Sequence, residues 1–319
     1  MQPVVLHEVG LRDGLQIEEA TVPTDRKLAW LARLMTTGVD LIQLGSFVNP
    51  KRVPQMADTD DLFRQVARVS VPAEVTLSAL VLNEKGLERG ADCGVSYFCM
   101  GVSASNTHSE KNTGMGTMEA AGRIVAMGRQ ALSAGAGVQV SVQSAFGCGF
   151  EGPIPESRVL DLVRRFLDAG LTTVSLADSA GHADPAQVRD LFGAVADMGR
   201  GVTMTCHFHN TYGLALANAF AALEAGVTCF ESAFGGLGGC PFTAVAAGNL
   251  CTEDLVHLLH RVNLRRDVTL DPLLEVVKDA EAFFGRALPG VIHATGPIPH
   301  GGRFAPARAA TSPERGSAT

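Results

Sequence analysis

The sequence lacks three features that would each point to a particular class of protein. Basic residues are not in excess: 26 lysines and arginines stand against 33 aspartates and glutamates, and a net charge of -7 is a poor match for a nucleic-acid backbone. No apolar run reaches the roughly 20 residues that span a bilayer, and the first residues lack the basic and apolar regions of a signal peptide. We therefore expect a cytoplasmic protein with no nucleic-acid partner and no membrane partner.

Paired cysteines are also missing. The seven cysteines include no Cys-x-x-Cys motif and are scattered between Cys93 and Cys251. An odd number of unpaired positions gives neither a disulfide framework nor a structural zinc pattern. A reducing compartment fits this usage.

What the sequence does contain is a repeated alternation of strand and helix. Hydrophobic residues make up 46% of the chain, and its 35 glycines permit many tight turns, as in α/β enzymes. Short apolar, β-branched runs alternate with longer helix-like segments. The predicted strands are 4–9, 41–44, 74–80, 95–100, 138–142, 173–176, 202–207 and 229–232. Eight parallel strands joined by helices predict a TIM (β/α)8 barrel, which takes roughly 250 residues.

The chain divides into one predicted domain and a tail. Residues 1–296 are expected to form the catalytic barrel with a short C-terminal helical extension. Residues 297–319 are rich in proline, glycine, arginine, alanine and serine and are predicted to be a disordered tail.

Helix ends carry their own signals. Thr24 and Asp184 stand where helix N-caps are expected, and Asp184 is followed by a proline suited to the first turn. Glycines expected in left-handed C-caps are Gly38, Gly90, Gly170 and Gly226. The recurrence of helix, glycine and strand supports a repeating βα unit.

The end of the seventh predicted strand carries two histidines. Reactive residues of a parallel barrel lie at the C-terminal ends of its strands. His207 and His209 are two apart on a strand and so point to one side, either as ligands of one metal ion or as a hydrogen-bonded pair. Asp13 follows the first strand, which neighbours the eighth in a closed barrel. One carboxylate and two imidazoles suit Mg²⁺, Mn²⁺ or a similar ion and favour the metal interpretation.

Three further features surround this candidate site. Arg12 could stabilise an enolate oxygen, or it could simply form a salt bridge within the barrel. The glycine-rich segment from Gly235 to Pro241 presents Cys240 as an acid or base, or is a flexible turn with an incidental thiol. Asn249 offers a neutral oxygen ligand.

Five segments of the chain together resemble HMG-CoA lyases of the DRE-TIM metallolyase superfamily. The motifs keep the family's order and approximate spacing, and the resemblance covers roughly residues 4 to 290. They are Glu8 to Gln16 (EVGLRDGLQ), Ser46 to Met56 (SFVNPKRVPQM), His207 to Gly213 (HFHNTYG), Gly235 to Pro241 (GGLGGCP) and Gly248 to Asp254 (GNLCTED).

The resemblance implies a set of ligands and roles. A divalent cation, Mg²⁺ or Mn²⁺, would be held by Asp13, His207, His209 and Asn249. Arg12 would bind and polarise the thioester carbonyl, Cys240 would transfer a proton with His207 as a second participant, and Asp178 would lie near the site. The residues expected to contact substrate are Arg12, Gln16, Gln43 and Ser46.

The implied reaction is a retro-Claisen cleavage of an acyl-CoA substrate. HMG-CoA would yield acetyl-CoA and acetoacetate, and similar proteins lead us to expect a homodimer. One residue departs from the family: Gln43 stands where a glutamate is usual. Glutamine orients by hydrogen bonds but cannot take a proton or supply charge, so the preferred acyl group could differ from that of HMG-CoA.

Three alternatives remain at this stage. The first is a lyase for a different 3-hydroxyacyl-CoA, which would share every catalytic residue. The second is a Claisen-condensing synthase, such as an isopropylmalate or homocitrate synthase, although these typically lack the Gly-Gly-Cys-Pro loop and carry a C-terminal domain. The third is a barrel that binds metal and CoA ester without turnover.

Overall fold

A closed barrel of parallel strands forms the centre of the molecule. The computed structural model describes residues 3–199, 201–239 and 248–298. Within them the strands follow one another around the barrel in chain order, and β8 pairs with β1 to close it. The strands are β1 (Val5–Glu8), β2 (Leu41–Ser46), β3 (Thr76–Leu80), β4 (Tyr97–Ser103), β5 (Gly137–Gln143), β6 (Thr173–Asp178), β7 (Thr203–Phe208) and β8 (Cys229–Ser232). The predicted TIM barrel is confirmed.

Helices connect the strands and extend beyond the last of them. The helices are α1 (Thr24–Leu34), α2 (Thr59–Val66), α3 (Glu84–Asp92), α4 (Asn106–Thr113), α5 (Thr117–Ser133), α6 (Glu156–Asp168), α7 (Pro185–Asp197), α8 (Ala215–Glu224), α9 (Thr252–Arg261), α10 (Leu270–Phe284) and α11 (Ile292–Thr295). Helix α4 lies between β4 and α5. Helices α10 and α11 form the expected C-terminal extension. Residues 299–319 of the predicted tail lie outside the described residues.

Most of the helix-end predictions hold. The side chain of Asp184 accepts hydrogen bonds from the amides of Ala186 and Gln187 at the start of α7. The glycines with the expected positive φ angles, of 93°, 81° and 88°, are Gly38, Gly170 and Gly226.

Two of these predictions were wrong. Helix α3 runs through Gly90, and Gly94 instead takes the left-handed conformation, with φ of 81°. Gly90 serves packing, because a Cβ there would lie 2.7 Å from the ring of Phe98. Thr24 is the first residue of α1 rather than its cap, and its hydroxyl donates to Asp58 at 2.9 Å.

The two faces of the barrel wall differ in polarity. Successive strand residues point to opposite faces, so Ile42 and Leu176 face the helices while Gln43 and Ala177 line the interior. The helix-facing side chains are fully buried in an apolar layer. The interior carries polar side chains among apolar ones, and a cavity opens there.

The C-terminal extension packs against the first helix of the barrel. Trp30 on α1 is completely buried, and its indole Nε1 donates to Asp279 on α10 at 2.6 Å. Its ring also meets Phe234, just after β8, edge-on with a centroid distance of 5.6 Å. Helix α10 thus stabilises the part of the wall where the barrel closes.

A search of the described helices for membrane-spanning segments found none with the length and hydrophobicity that a bilayer requires.

Two glycines of α5 provide a matched test of how closely that helix packs against its neighbours. Gly122 has open space around a hypothetical Cβ, whereas a Cβ at Gly128 would lie 2.8 Å from a methyl carbon of the buried Leu171. We expect Gly122→Ala to raise the free energy of unfolding by about 0.5–1 kcal/mol through helix propensity. Gly128→Ala should lower it by about 1–2 kcal/mol through overpacking. Urea denaturation measures both, and equal stabilisation by the two substitutions would contradict the packing described.

Candidate active site

A single π-helical turn after β1 places Arg12 and Asp13 at the mouth of the barrel. The turn spans Gly10–Gly14, and the carbonyl of Val9 accepts hydrogen bonds from the amides of Arg12 and Asp13 at 3.1 and 2.8 Å. A side chain at Gly10 would press on Phe234, because its Cβ would lie 2.5 Å from that ring. The turn is therefore seated tightly against the segment that follows β8.

Two histidines reach the same place from β7. His207 lies on the strand, and His209 follows it and pairs through its backbone with Asn249. The Nε2 atoms of the two histidines are 3.1 Å apart. They lie 3.7 and 3.8 Å from the Oδ2 atom of Asp13. The structure thus brings together three of the four predicted ligands in an arrangement that could hold one metal ion.

Asn249 completes the set. Its Nδ2 atom donates to Asp13 Oδ2 and to the carbonyl of Leu237, both at 2.9 Å, while its buried Oδ1 atom has no hydrogen-bond partner among the residues that the structure describes. A half-turn of the amide would exchange the two atoms and present an oxygen to a cation beside Asp13. A Cβ at Gly238 would lie 2.6 Å from Nδ2, so glycine is needed there. The residues present fit a divalent ion with oxygen and nitrogen ligands.

The protonation states of Asp13 and His209 suit metal binding. Burial favours the neutral acid of Asp13, but the positive charges of Arg12 and the histidines, with the hydrogen bond from Asn249, hold its pKa at about 2. Burial and the neighbouring charge of His207 lower the pKa of His209 to about 4. At neutral pH the site therefore offers an ionised carboxylate and an imidazole with a free lone pair.

Arg12 joins the candidate ligands to the second strand. Its guanidinium donates to Asp13 and, through Nε, to the Oε1 atom of Gln43. Gln16 also donates to Asp13, at 2.9 Å. In residues 3–199, 201–239 and 248–298 these donations use Nε and Nη1 of Arg12 and leave its Nη2 atom without an acceptor.

A cavity of about 300 Å³ opens beside these groups. Much of its wall is polar and comes from inward-facing strand residues. Its lining includes Arg12, Asp13, Gln16, Gln43, Met100, Gln139, Ser141, Gln143, His207, His209 and Glu231. Gln16 and Gln43 therefore lie where a substrate would contact them.

Two predicted site residues stand apart from this group, and a third is not among the described residues. The hydroxyl of Ser46 donates to the carbonyl of Leu80 at 3.3 Å. The carboxylate of Asp178 accepts from the amides of His182 and Ala183 at 2.8 and 2.9 Å, and burial raises its pKa to about 6. Cys240 lies outside the described residues. Functional roles for all three stay predictions.

Several polar residues of the barrel interior escaped the sequence analysis. Glu231 lies 3.0 Å from the Nδ1 atom of His207, and Gln139 donates to Glu231 at 2.7 Å. Burial disfavours the charged form of Glu231, but hydrogen bonds from His207 and His7 hold its pKa well below the ordinary value. The sequence signal that could have identified Glu231 was a charged residue at an inward-facing position of strand β8.

Glu8 is a second carboxylate whose contacts were not foreseen. It is fully buried at the end of β1 and accepts hydrogen bonds from the amides of Gly10 and Phe234 at 2.7 and 3.1 Å. The hydroxyl of Thr252 donates to its other oxygen at 2.5 Å. Glu8 thus connects the turn that carries Asp13 to the segments after β8.

Comparison with known proteins gives a consistent result. The model of the HMGL-like family matches residues 3–279. The chain is 36% identical over 286 residues to hydroxymethylglutaryl-CoA lyase YngG from Bacillus subtilis, covering 90% of this chain and 95% of that protein. It is 35% identical over 308 residues to (R)-citramalyl-CoA lyase from Chloroflexus aurantiacus, covering 93% and 96%.

A solved structure agrees in fold. It is that of an HMG-CoA lyase from A. baumannii in complex with coenzyme A and 3-methylmalate. Its TM-score to this chain is 0.86 at 35% sequence identity, with 92% of this chain and 95% of that chain covered.

The burial of Glu8 predicts a specific pH dependence of stability. Burial raises its pKa from 4.5 to about 7, so the folded protein retains a proton that the unfolded chain releases. The stability this contributes is fully present below pH 4.5 and is lost as the pH rises through about 7. The Glu8→Gln variant, which stays neutral, should gain up to about 3 kcal/mol relative to wild type over this range.

Urea denaturation between pH 4.5 and 8 checks this expectation. The exposed Glu88 provides a control, because Glu88→Gln should give a curve parallel to that of wild type. A parallel curve for Glu8→Gln as well would show that Glu8 ionises in the folded protein as it does in the unfolded chain.

Proposed function

Because this chain belongs to the HMGL-like family and is a carbon-carbon lyase, we propose that it cleaves 3-hydroxy-3-methylglutaryl-CoA to acetyl-CoA and acetoacetate with a divalent cation. The observation that carries this proposal is the convergence of Asp13, His207 and His209 beside Arg12 at the mouth of the cavity. The bound coenzyme A and 3-methylmalate of the solved relative support an acyl-CoA substrate that also carries hydroxyl and carboxylate oxygens.

The proposed cation is Mg²⁺ or Mn²⁺. Asp13, His207, His209 and the amide oxygen of Asn249 would hold it. Such an ion supplies Lewis-acid stabilisation of negative charge on substrate oxygens.

The oligomeric state and the cellular location are separate questions. A homodimer and a cytoplasmic location stay predictions.

The remaining chemistry falls to side chains of the chain itself. In this proposal the thiolate of Cys240 takes the 3-hydroxyl proton, and that oxygen becomes a carbonyl as the C2–C3 bond breaks. The electron pair of the broken bond passes to the thioester as an enolate. Arg12 is placed to donate to the enolate oxygen, since its Nη2 atom lacks an acceptor in the described part of the chain. Cys240 then protonates C2 to give acetyl-CoA.

A second candidate substrate is (R)-citramalyl-CoA. A lyase for this compound is a relative at nearly the same identity as the hydroxymethylglutaryl-CoA lyase. Its acyl group is one methylene shorter, and the same cleavage would release pyruvate in place of acetoacetate. Gln43 supports this second candidate, because it places a neutral amide in the cavity beside Arg12 where a glutamate is usual, and the preferred acyl group could differ accordingly.

Purified enzyme loaded with Mn²⁺ should convert HMG-CoA to acetyl-CoA and acetoacetate. Asp13→Asn should lower kcat by at least about 100-fold through loss of charge in the site. Cys240→Ala should lower kcat by about 100-fold or more through loss of proton transfer. Coupled assays of both products measure the rates.

Parallel reactions with (R)-citramalyl-CoA and with chelator-treated enzyme complete the test. Faster release of pyruvate than of acetoacetate would transfer the assignment to the shorter substrate. Undiminished cleavage after removal of all divalent metal would contradict the metal-dependent mechanism.

Gln43 gives a separate prediction on substrate choice. Its Oε1 atom accepts a hydrogen bond from Arg12. Its buried Nε2 atom has no oxygen or nitrogen acceptor within the described ranges, and the group beside it is the thiol of Cys99, which is a weak acceptor. We expect Nε2 to donate to an oxygen of the acyl group. Gln43→Glu and Gln43→Met should each lower kcat/KM for the preferred substrate about tenfold, the equivalent of one hydrogen bond.

The two variants separate donation from charge. A loss in both supports donation by the amide, because neither replacement can donate from that position at neutral pH. An increase in kcat/KM for Gln43→Glu would show that the site works better with a carboxylate and that the amide reads no acceptor.

A further inference from the structure

A buried carboxylate stands directly beneath the candidate metal ligands, inside the barrel. Glu231 on β8 is in register with His207 on β7 and with His7 on β1. Residues in register on neighbouring parallel strands point to the same face, so the three side chains meet in the interior. All three are buried.

Both oxygens of Glu231 are occupied. Oε2 lies 3.0 Å from the Nδ1 atom of His207 and accepts from Ser175 at 3.4 Å. Oε1 accepts from the amide of Gln139 at 2.7 Å and lies 3.4 Å from the Nδ1 atom of His7. Four neighbours on four different strands therefore fix the orientation of one carboxylate.

Those neighbours are themselves held in place. The amide oxygen of Gln139 accepts from Thr205 at 3.3 Å, which directs its NH2 group to Glu231. The Nε2 atom of His7 lies 2.8 Å from the hydroxyl of Ser78. If Glu231 were only a counterion for His7, it would not need this many hydrogen-bonded neighbours.

We propose that Glu231 is a positioning residue that holds the proton of His207 on Nδ1, so that the lone pair of Nε2 faces Asp13 and a divalent cation. The physical reason is that an imidazole binds a cation through one nitrogen only when its proton resides on the other. A carboxylate that accepts from the second nitrogen selects that tautomer and fixes the plane of the ring. This inference rests on the proposed metal site.

The glutamine variant removes this function with little change of shape. In Glu231→Gln only one side-chain oxygen remains, and it can accept from either His207 or Gln139 but not from both. The new NH2 group then faces the remaining donor, with which it cannot form a hydrogen bond. We expect the Kd for Mn²⁺, measured from the free-ion signal in electron paramagnetic resonance, to rise about 10- to 100-fold. Glu88→Gln is the control, because Glu88 is an exposed carboxylate on helix α3 away from the barrel interior, and its Kd should stay near that of wild type.

A second readout follows the proton itself. In Mg²⁺-loaded protein labelled with ¹⁵N-histidine, the Nδ1–H proton of His207 should resonate far downfield and exchange slowly, as expected for a hydrogen bond to a carboxylate. It should move upfield in Glu231→Gln and stay in place in Glu88→Gln. A purely structural role for Glu231 would change thermal stability without this shift.

The outcomes are distinguishable. Failure of the wild-type protein to bind Mn²⁺ would overturn the proposed metal site and this inference with it. Tight binding by wild type and by Glu231→Gln alike would overturn the positioning role alone. If the variant does not fold, the wild-type spectrum still decides, because absence of a protected Nδ1–H on metal-loaded His207 would contradict the proposal.

Discussion

Closure of the barrel between β8 and β1 is the constraint on which the candidate site depends. Asp13 follows the first strand, whereas His207 and His209 come from the seventh, and Asn249 follows the eighth. These residues are nearly the whole barrel apart along the chain. The pairing of β1 with β8 and of β8 with β7 brings them within hydrogen-bonding and ligand distances of each other.

The segments after the strands refine what closure begins. Gly238 leaves room for the amide of Asn249, and any side chain at Gly248 would collide with the backbone of Gly236. Glu8 ties the turn bearing Asp13 to the start of the segment after β8, and Trp30 links that segment to helix α10. The site is therefore organised by close backbone packing around the mouth, which holds its ligands in position before any substrate arrives.

The interior of the barrel shows how a polar site is kept within a folded protein. The ionised carboxylates beneath and beside the candidate ligands accept several hydrogen bonds, as Asp13 and Glu231 illustrate. An unpaired buried charge would cost several kcal/mol, and these contacts offset that cost. The apolar layer between strands and helices supplies the stability of the fold, so the interior can be devoted to chemistry.

Local patterns along the chain were enough to predict eight strands, most helix ends and the grouping of Asp13 with His207 and His209, whereas the expectation that Gln16 and Gln43 contact substrate came from the family resemblance. Hydrophobic periodicity and motif spacing are properties of neighbouring residues, so they can be read before folding. The roles of His7, Gln139 and Glu231 could not be read in this way, because each depends on which strands stand in register across the barrel. The packing role of Gly90 also emerges only when distant segments meet. The same holds for the Nε2 atom of Gln43 and the Oδ1 atom of Asn249, which have no partner in the described part of the chain, since hydrogen bonding is set by the assembled neighbours rather than by the residue itself.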